Sequence, residues 1–217
     1  MALEERELPL FPLNTVLFPA SYMPLQIFEE RYKLMLQHCL ESDSTFGVAL
    51  IKSGKEVGEP AEPYQIGTTA KIVQTSPVSG GRIFVSVFGQ QRFSIQEILQ
   101  RKPYIKARVK ILAEGLRDDV SPQLAAEVRS RLLEYLRTLE TLRGGWVRDM
   151  ALPDDALSLS YFVGGILDLQ PLEKQKLLEA HPLAHRLLLE SEAIAQEIEV
   201  LKQTAPNPHG FQRFSRN

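Results

Sequence analysis

The strictest alternation in the chain runs from Tyr104 to Leu112, where Ile105, Ala107, Val109 and Ile111 take every second position and Lys106, Arg108 and Lys110 fill the gaps. Side chains on a strand point to opposite faces with period two, so the segment predicts a strand with one face in a core and a cationic face in water. Phe46–Ile51, Ile66–Thr75, Ile83–Phe88 and Arg92–Leu99 are rich in β-branched and aromatic residues, are bounded by Gly, Pro and Ser, and also read as strands. The turn-forming run from Ser76 to Arg82 joins two of them, which makes residues 66–88 antiparallel neighbours across a short loop. Gly89 interrupts a long strand pattern, where a bulge or a second turn would bend the sheet towards a partly closed barrel. A single helix is expected within this β-rich region, about Glu29 to Leu40, with Tyr32, Met35, Leu36 and Cys39 at helical spacing, plugging or covering an opening of the sheet. Residues 52–65, rich in Pro, Gly and charge, read as an exposed, mobile connection.

Near residues 113–121 the period changes from strand to helix. Ser121 suits an N-cap and Pro122 the first helical position, and Leu124, Val128, Leu132, Tyr135, Leu136, Leu139 and Leu142 form an apolar stripe after them. Gly144-Gly145 ends that helix, Pro153 and Asp154-Asp155 introduce a second over about 156–167, Pro171 opens a third reaching Glu179, and Pro182 opens the last. In the last helix Leu187, Ser191, Ile194, Ile198 and Leu201 keep a 4-3-4-3 spacing, which marks either a coiled-coil seam, and so a homodimer, or a stripe packed on its own bundle. The aperiodic tail after Thr204 is expected to be disordered. The expected organisation is thus a β-rich unit over 1–115, a helical unit over 116–204 and a tail over 205–217, with no internal repeat.

Composition narrows the class. A chain of 217 residues with 44% hydrophobic and 24% charged residues has the balance of a folded globular protein. Its 25 basic and 27 acidic residues give no global positive field, so nucleic acid is disfavoured as a partner. One cysteine, Cys39, cannot form an intrachain disulfide, and the acidic N-terminus carries no signal-peptide pattern. No run of eighteen apolar residues occurs, so a cytoplasmic protein without a membrane span is expected.

Candidate chemistry is sparse. Around Gly54-Lys55 the residue after lysine is Glu56, and Ala49 stands where a phosphate-cradling loop needs its first glycine. His38 and Cys39, adjacent on a helix, point about 100° apart and cannot act as a thiolate–imidazole pair. A buried structural cysteine is the reading for Cys39. His181 and His185 stand four apart, but Pro182 replaces the metalloprotease glutamate and a third ligand is missing, so surface histidines are expected and no metal. Asp118-Asp119 and Asp154-Asp155 each precede a helix, where carboxylates cap free N–H groups. Lys106, Arg108 and Lys110 are the one concentration of positive charge and the alternative nucleic-acid-binding set, against which a solvated strand face is the commoner use. No cofactor and no catalytic residue are expected.

Leu8-Pro9-Leu10-Phe11-Pro12-Leu13, Val16-Leu17-Phe18-Pro19, Met23-Pro24-Leu25-Gln26-Ile27-Phe28-Glu29 and Arg31-Tyr32 together resemble the opening signature of the Lon protease N-terminal domain family. The resemblance continues through Phe46-Gly47-Val48, Ile66-Gly67-Thr68, Gly81-Arg82, Gly89, Arg92-Phe93, Tyr104, Ala107 and Val109, and on to Leu157-Ser158, Lys174-Gln175, Leu177-Leu178-Glu179 and Arg186-Leu187, covering about residues 7–203. It implies an α+β fold, a PUA-like β pseudobarrel followed by a C-terminal helical bundle. Ala20 stands where many members have Gly, Gln26 where many have His, and Gly80 where many have Asp. A full Lon protease continues into an ATPase and a Ser–Lys peptidase, and neither follows here, so the resemblance implies a stand-alone recognition domain that hydrolyses neither ATP nor peptide bonds by Lon chemistry.

On this reading the partners are unfolded polypeptide or a protease or chaperone, bound by the groove between barrel and bundle together with an edge formed by Tyr22, Met23, Gln26 and Phe28. Pro9, Pro12, Pro19 and Pro24 fix φ and remove ladder donors, which predicts an irregular first sheet edge there. Packing competes for the same side chains: Phe is rarely left exposed, so Phe11, Phe18 and Phe28 suit the core better, while Tyr22 and Met23 suit either place. The alternative function is RNA binding through the basic strand face. A small enzyme of unknown chemistry would require polar residues distant in sequence to converge.

Overall fold

The computed structural model describes residues 4–58, 61–113, 120–142 and 151–204. Its β region comprises β1 (Glu5–Leu13), β2 (Tyr22–Ile27), β3 (Thr45–Ser53), β4 (Glu62–Pro63), β5 (Ile66–Val78), β6 (Arg82–Gln100) and β7 (Ile105–Ile111), with helix α1 (Glu30–Leu40) between β2 and β3. The helical region comprises α2 (Pro122–Leu142), α3 (Ala156–Ile166), α4 (Pro171–Glu179) and α5 (Leu183–Thr204).

The strands run β1-β7-β6-β5-β3 by antiparallel pairing, and a parallel pairing of β1 with β3 closes the ring. β2 adds to β6 outside the ring and β4 to β3. The alternation of β7 is realised as read: Ile105, Ala107, Val109 and Ile111 are buried and the three cations between them are half-exposed. A three-residue loop, Ser79 to Gly81, joins β5 to β6, and Gly80 and Gly81 take the positive φ that such a loop favours.

At Gly89 the structure has a bulge and not a turn. From Thr68↔Arg92 to Ala70↔Gly89, β5 advances two residues and β6 three, and β6 continues without a break. Gly89 also meets backbone on its β2 side, donating to the Ser21 carbonyl at 2.9 Å and accepting from the Ala20 N–H at 2.8 Å. A Cβ there would overlap the Phe18 carbonyl, so only glycine allows the approach.

The first strand is an edge by halves, although the two halves together close the ring. Residues 5–10 pair with β7 and residues 10–13 with β3, so each half has one unpaired side. That division tolerates Pro9 in one half and Pro12 in the other, since neither half needs donors in both directions. Pro24 does sit on an edge, as β2 pairs with β6 alone. The connection 52–65 is less solvated than read: it contains β4, and Ala61 and Pro63 are buried.

Helix α1 covers the face of the sheet opposite Phe93. Its Tyr32, Met35, Leu36 and Cys39 pack with Phe11, Phe46, Val85 and Val87 in one cluster. In the bundle, Ser121 Oγ accepts from the Leu124 N–H at 3.2 Å and starts α2, and Asp155 Oδ1 accepts from the Ser158 N–H at 2.9 Å and starts α3. The 4-3-4-3 stripe of α5 is packed in its own bundle, Leu187, Ile194 and Ile198 lying against Val128 and Leu132 of α2 and Leu159 of α3. Gly144-Gly145, Asp118-Asp119 and the tail after Thr204 lie outside the described residues.

Barrel and bundle share a cluster in which Phe18 and Leu50 meet Tyr161, Leu177 and Leu178. Gly164 of α3 leaves room for the Phe18 ring, which a Cβ there would strike.

Candidate functional site

β2 positions the surface. Its inward side chains, Leu25 and Ile27 with half-buried Met23, join the cluster under α1, so alternation turns Tyr22, Pro24, Gln26 and then Phe28 outward. Tyr22 is 70% exposed and Phe28 50% exposed. The expectation of a core Phe28 is therefore overturned: following Ile27 in an extended segment, it falls on the outward side. Phe11 and Phe18 are buried as expected.

Register adds residues that the sequence reading missed. Tyr22 pairs with Phe88 across the β2–β6 ladder, ring centroids 4.9 Å apart, and Gln26 pairs with Phe84, itself partly exposed. On β5 the register shifts between Ile72 and Gln74, and the extra residue, Val73, is exposed. Tyr22, Pro24, Phe84 and Phe88 thus form one outward apolar sheet face. The period of Ile83–Phe88 already alternates Phe84 and Phe88 against buried Val85 and Val87, which was the available signal.

Beside this face, at the unpaired edge of β2, lies a cleft of about 270 Å³. Phe11, Leu13 and Tyr32 are among the apolar side chains that line it, with Gln26, Glu29 and Glu56 supplying polar groups. Phe11 and Tyr32 stack with ring centroids 4.2 Å apart, and burial pushes the Tyr32 hydroxyl up to about 12. Arg31 lies over the Tyr32 ring at 4.4 Å while its Nε donates to Glu29 at 3.1 Å. Met23 and Phe28 also line the cleft, whereas Tyr22 belongs to the sheet face next to it. A second groove, about 380 Å³, runs along the barrel where Glu179 of α4 meets it and is lined also by Lys52, Glu62, Tyr64 and Ile98.

Cys39 is buried, and burial pushes its thiol up to about 12, far from a thiolate at neutral pH. His38 points instead to the Tyr104 hydroxyl, 2.7 Å away. His181 precedes α5 and is exposed, as is His185. The Asp155 carboxyl is held below its ordinary range by the Ser158 N–H that it caps. On the basic strand face, Lys106 Nζ is 2.6 Å from Glu7 Oε2, Arg108 is paired with Glu97, and Lys110 stands opposite Glu5 in the β1–β7 ladder. The Lys106 ammonium correspondingly holds the Glu7 carboxyl below its usual range. Nearby Arg101 is paired with Glu62.

Fold and surface together describe an α+β barrel-and-bundle protein with an outward apolar sheet face beside a cleft whose charged lining residues are acidic. The chain belongs to the family described as the ATP-dependent protease La (LON) substrate-binding domain, whose profile matches residues 7–196. Lon protease 2 of Herpetosiphon aurantiacus is 32% identical over 203 residues, covering 90% of this chain and 24% of that protein. The Lon protease of Syntrophomonas wolfei is 31% identical over 205 residues, covering 91% of this chain and 25% of that protein. The chain therefore spans about a quarter of the length of these curated relatives. A crystal structure of a Lon N-terminal domain protein from Xanthomonas campestris superposes with a TM-score of 0.65 at 25% identity, covering 93% of this chain and 99% of that one. The N-terminal domain of the Mycobacterium avium complex Lon protease shares the fold, with a TM-score of 0.65 at 17% identity over 88% of this chain and 98% of that one. No described helix is long and apolar enough to cross a membrane.

Proposed function

We propose that this chain is a non-catalytic polypeptide-recognition module that serves proteolysis or protein quality control in the cytoplasm. The observation that carries the reading is the outward sheet face of a substrate-binding-domain fold, where Tyr22 is 70% exposed beside Phe84 and Phe88. Large aromatics left in water on one sheet face cost solvation free energy that a bound apolar segment would recover. Buried Cys39, the only cysteine in the sequence, suits a reducing compartment. The partners on this reading are unfolded polypeptide or a protease or chaperone that presents one. Because the α5 stripe is used inside the bundle, a homodimer through that helix would have to use its outer face, where Leu188 and Val200 are exposed.

Titration with a fluorescent, permanently unfolded protein, reduced and carboxymethylated, tests the reading. Saturable binding that survives high salt supports apolar capture, and absence of binding at both salt levels overturns it. RNA binding through Lys106, Arg108 and Lys110 gains little support, because Glu7 and Glu97 neutralise two of the three.

A further inference from the structure

We propose that the cleft at the free edge of β2 receives one large apolar side chain of an extended polypeptide segment that carries an arginine or lysine beside it. The inference rests on the polypeptide-recognition reading and adds the position and the residue pattern that are recognised.

Both polar backbone groups of Gly89 turn towards the segment before β2, donating to Ser21 and accepting from Ala20. Strand alternation then turns those of Val87, Val85 and Ile83 the same way, towards their partners Met23, Leu25 and Ile27. The backbone groups of Tyr22, Pro24 and Gln26 therefore face the free edge. Pro24, in the middle, has no N–H to give there, so an added strand would lack its central bond. The edge is closed to continuous strand addition, and the cleft beside it is what an extended segment can use.

The cleft suits a single large side chain. Its volume is about 270 Å³, and Phe11, Leu13 and Tyr32 give it an apolar wall. Side chains of both faces of β2, Gln26 and Phe28 outward and Leu25 and Ile27 inward, line it, so it opens at the strand's edge, where a passing chain can insert.

Charge at the rim sets what stands next to that side chain. The two charged residues among those lining the cleft, Glu29 and Glu56, are both acidic. Glu29 is paired with Arg31 and also accepts from the Gly58 N–H. The Glu56 carboxylate meets the neutral Asn14 amide at 2.9 Å and, among the described residues, no cation, since Arg31 reaches only the Glu56 backbone carbonyl. One negative charge is left uncompensated at the mouth, and half-exposed Phe28 adds an aromatic ring that a guanidinium can cover.

The test uses short, flexible Gly/Ser peptides with a fluorescein label, titrated against the whole chain by anisotropy at low salt. One carries Phe-Arg at its centre, one Phe-Glu and one Ala-Arg. The Phe-Arg peptide is expected to bind about fivefold or more tightly than the Phe-Glu peptide, and the Ala-Arg peptide to lose most of its binding. Glu56→Gln should bring the first two affinities together, and Gln26→Trp, which fills the mouth of the cleft from an exposed position, should weaken the Phe-Arg peptide. Equal affinity for Phe-Arg and Phe-Glu, or a preference that survives Glu56→Gln, overturns the inference. The carboxymethylated protein is titrated in parallel. If it binds while the peptides fail to discriminate, this inference falls and the recognition reading stands; if nothing binds, both fall.

Discussion

Arg92 Nη1 donates to the carbonyl of Leu178 at 2.6 Å and to that of Ala180 at 3.3 Å, so a side chain from the longest strand caps the C-terminal end of α4. Arg92 is only 2% exposed, and its neighbour Phe93 is fully buried in the barrel. The Arg-Phe pair thereby joins the two halves: one residue fills the barrel and the next holds the bundle. A cation is the favoured partner for carbonyls at a helix end, whose dipole is negative there.

Arg92→Met should therefore leave buried carbonyls without their donor, at a cost of about 2–4 kcal/mol. Urea unfolding followed by near-ultraviolet and by far-ultraviolet circular dichroism checks this. The wild-type transitions should coincide, and in the variant the midpoint should fall and the two probes should separate. Coincident curves at the wild-type midpoint would remove Arg92 as the link between the halves.

Much of this arrangement was readable from local pattern. Pro171 marked the start of α4, the period-two run at Ile105–Ile111 gave the burial of β7, and the stripe of α5 gave a buried face. The choice between a coiled-coil seam and a bundle stripe was not local, because it depends on whether α2 and α3 reach that face. The parallel pairing of β1 with β3 and the resulting closure depend likewise on register between segments about forty residues apart. Tyr22 was readable as a surface candidate; Phe28 was misplaced because its residue type outweighed its phase on β2. The cleft could not be foreseen, since Phe11, Tyr32 and Glu56 come from β1, α1 and the connection before β4.

Ala20 has φ of 60°, a left-handed conformation in which Cβ crowds the following carbonyl. Its side chain is exposed, so Ala20→Gly loses little packing. Relief of the left-handed strain exceeds the added freedom of glycine in the unfolded chain, and a net gain of about 0.5–1 kcal/mol is expected. A higher urea midpoint with an unchanged slope is the expected outcome, and a lower midpoint would contradict it.

Glu190, wholly buried on α5, accepts from Ser160 Oγ at 2.8 Å. Burial pushes its carboxyl up to about 8, opposed by the Ser160 hydrogen bond and the Arg186 charge. The folded value lies above the unfolded one, so the stabilisation from the protonated form is complete below the unfolded pKa, near 4.5, and is lost as pH rises through about 8. The melting temperature should accordingly decline between pH 5 and pH 8.5, and Glu190→Gln, which keeps shape and removes ionisation, should flatten that decline. Parallel curves for the two proteins would show that another group sets the slope.

The exposed aromatics provide the most direct separation of binding from stability. Tyr22 and Phe84 project from neighbouring strands into water, and truncating them opens no cavity in the core. Tyr22→Ala with Phe84→Ser should change unfolding free energy by no more than about 1 kcal/mol, mostly through the lost Tyr22–Phe88 contact. Loss of two aromatic side chains from the proposed recognition face should nevertheless weaken capture of the carboxymethylated protein about tenfold or more. Lys106→Ala, Arg108→Ala and Lys110→Ala, combined, should leave that capture unchanged, because their face is separate and two of the charges are already paired. Titration of both variants beside the wild type decides between the surfaces: a loss confined to the aromatic variant places recognition on the β2–β6 face, and a loss confined to the basic variant places it on β7.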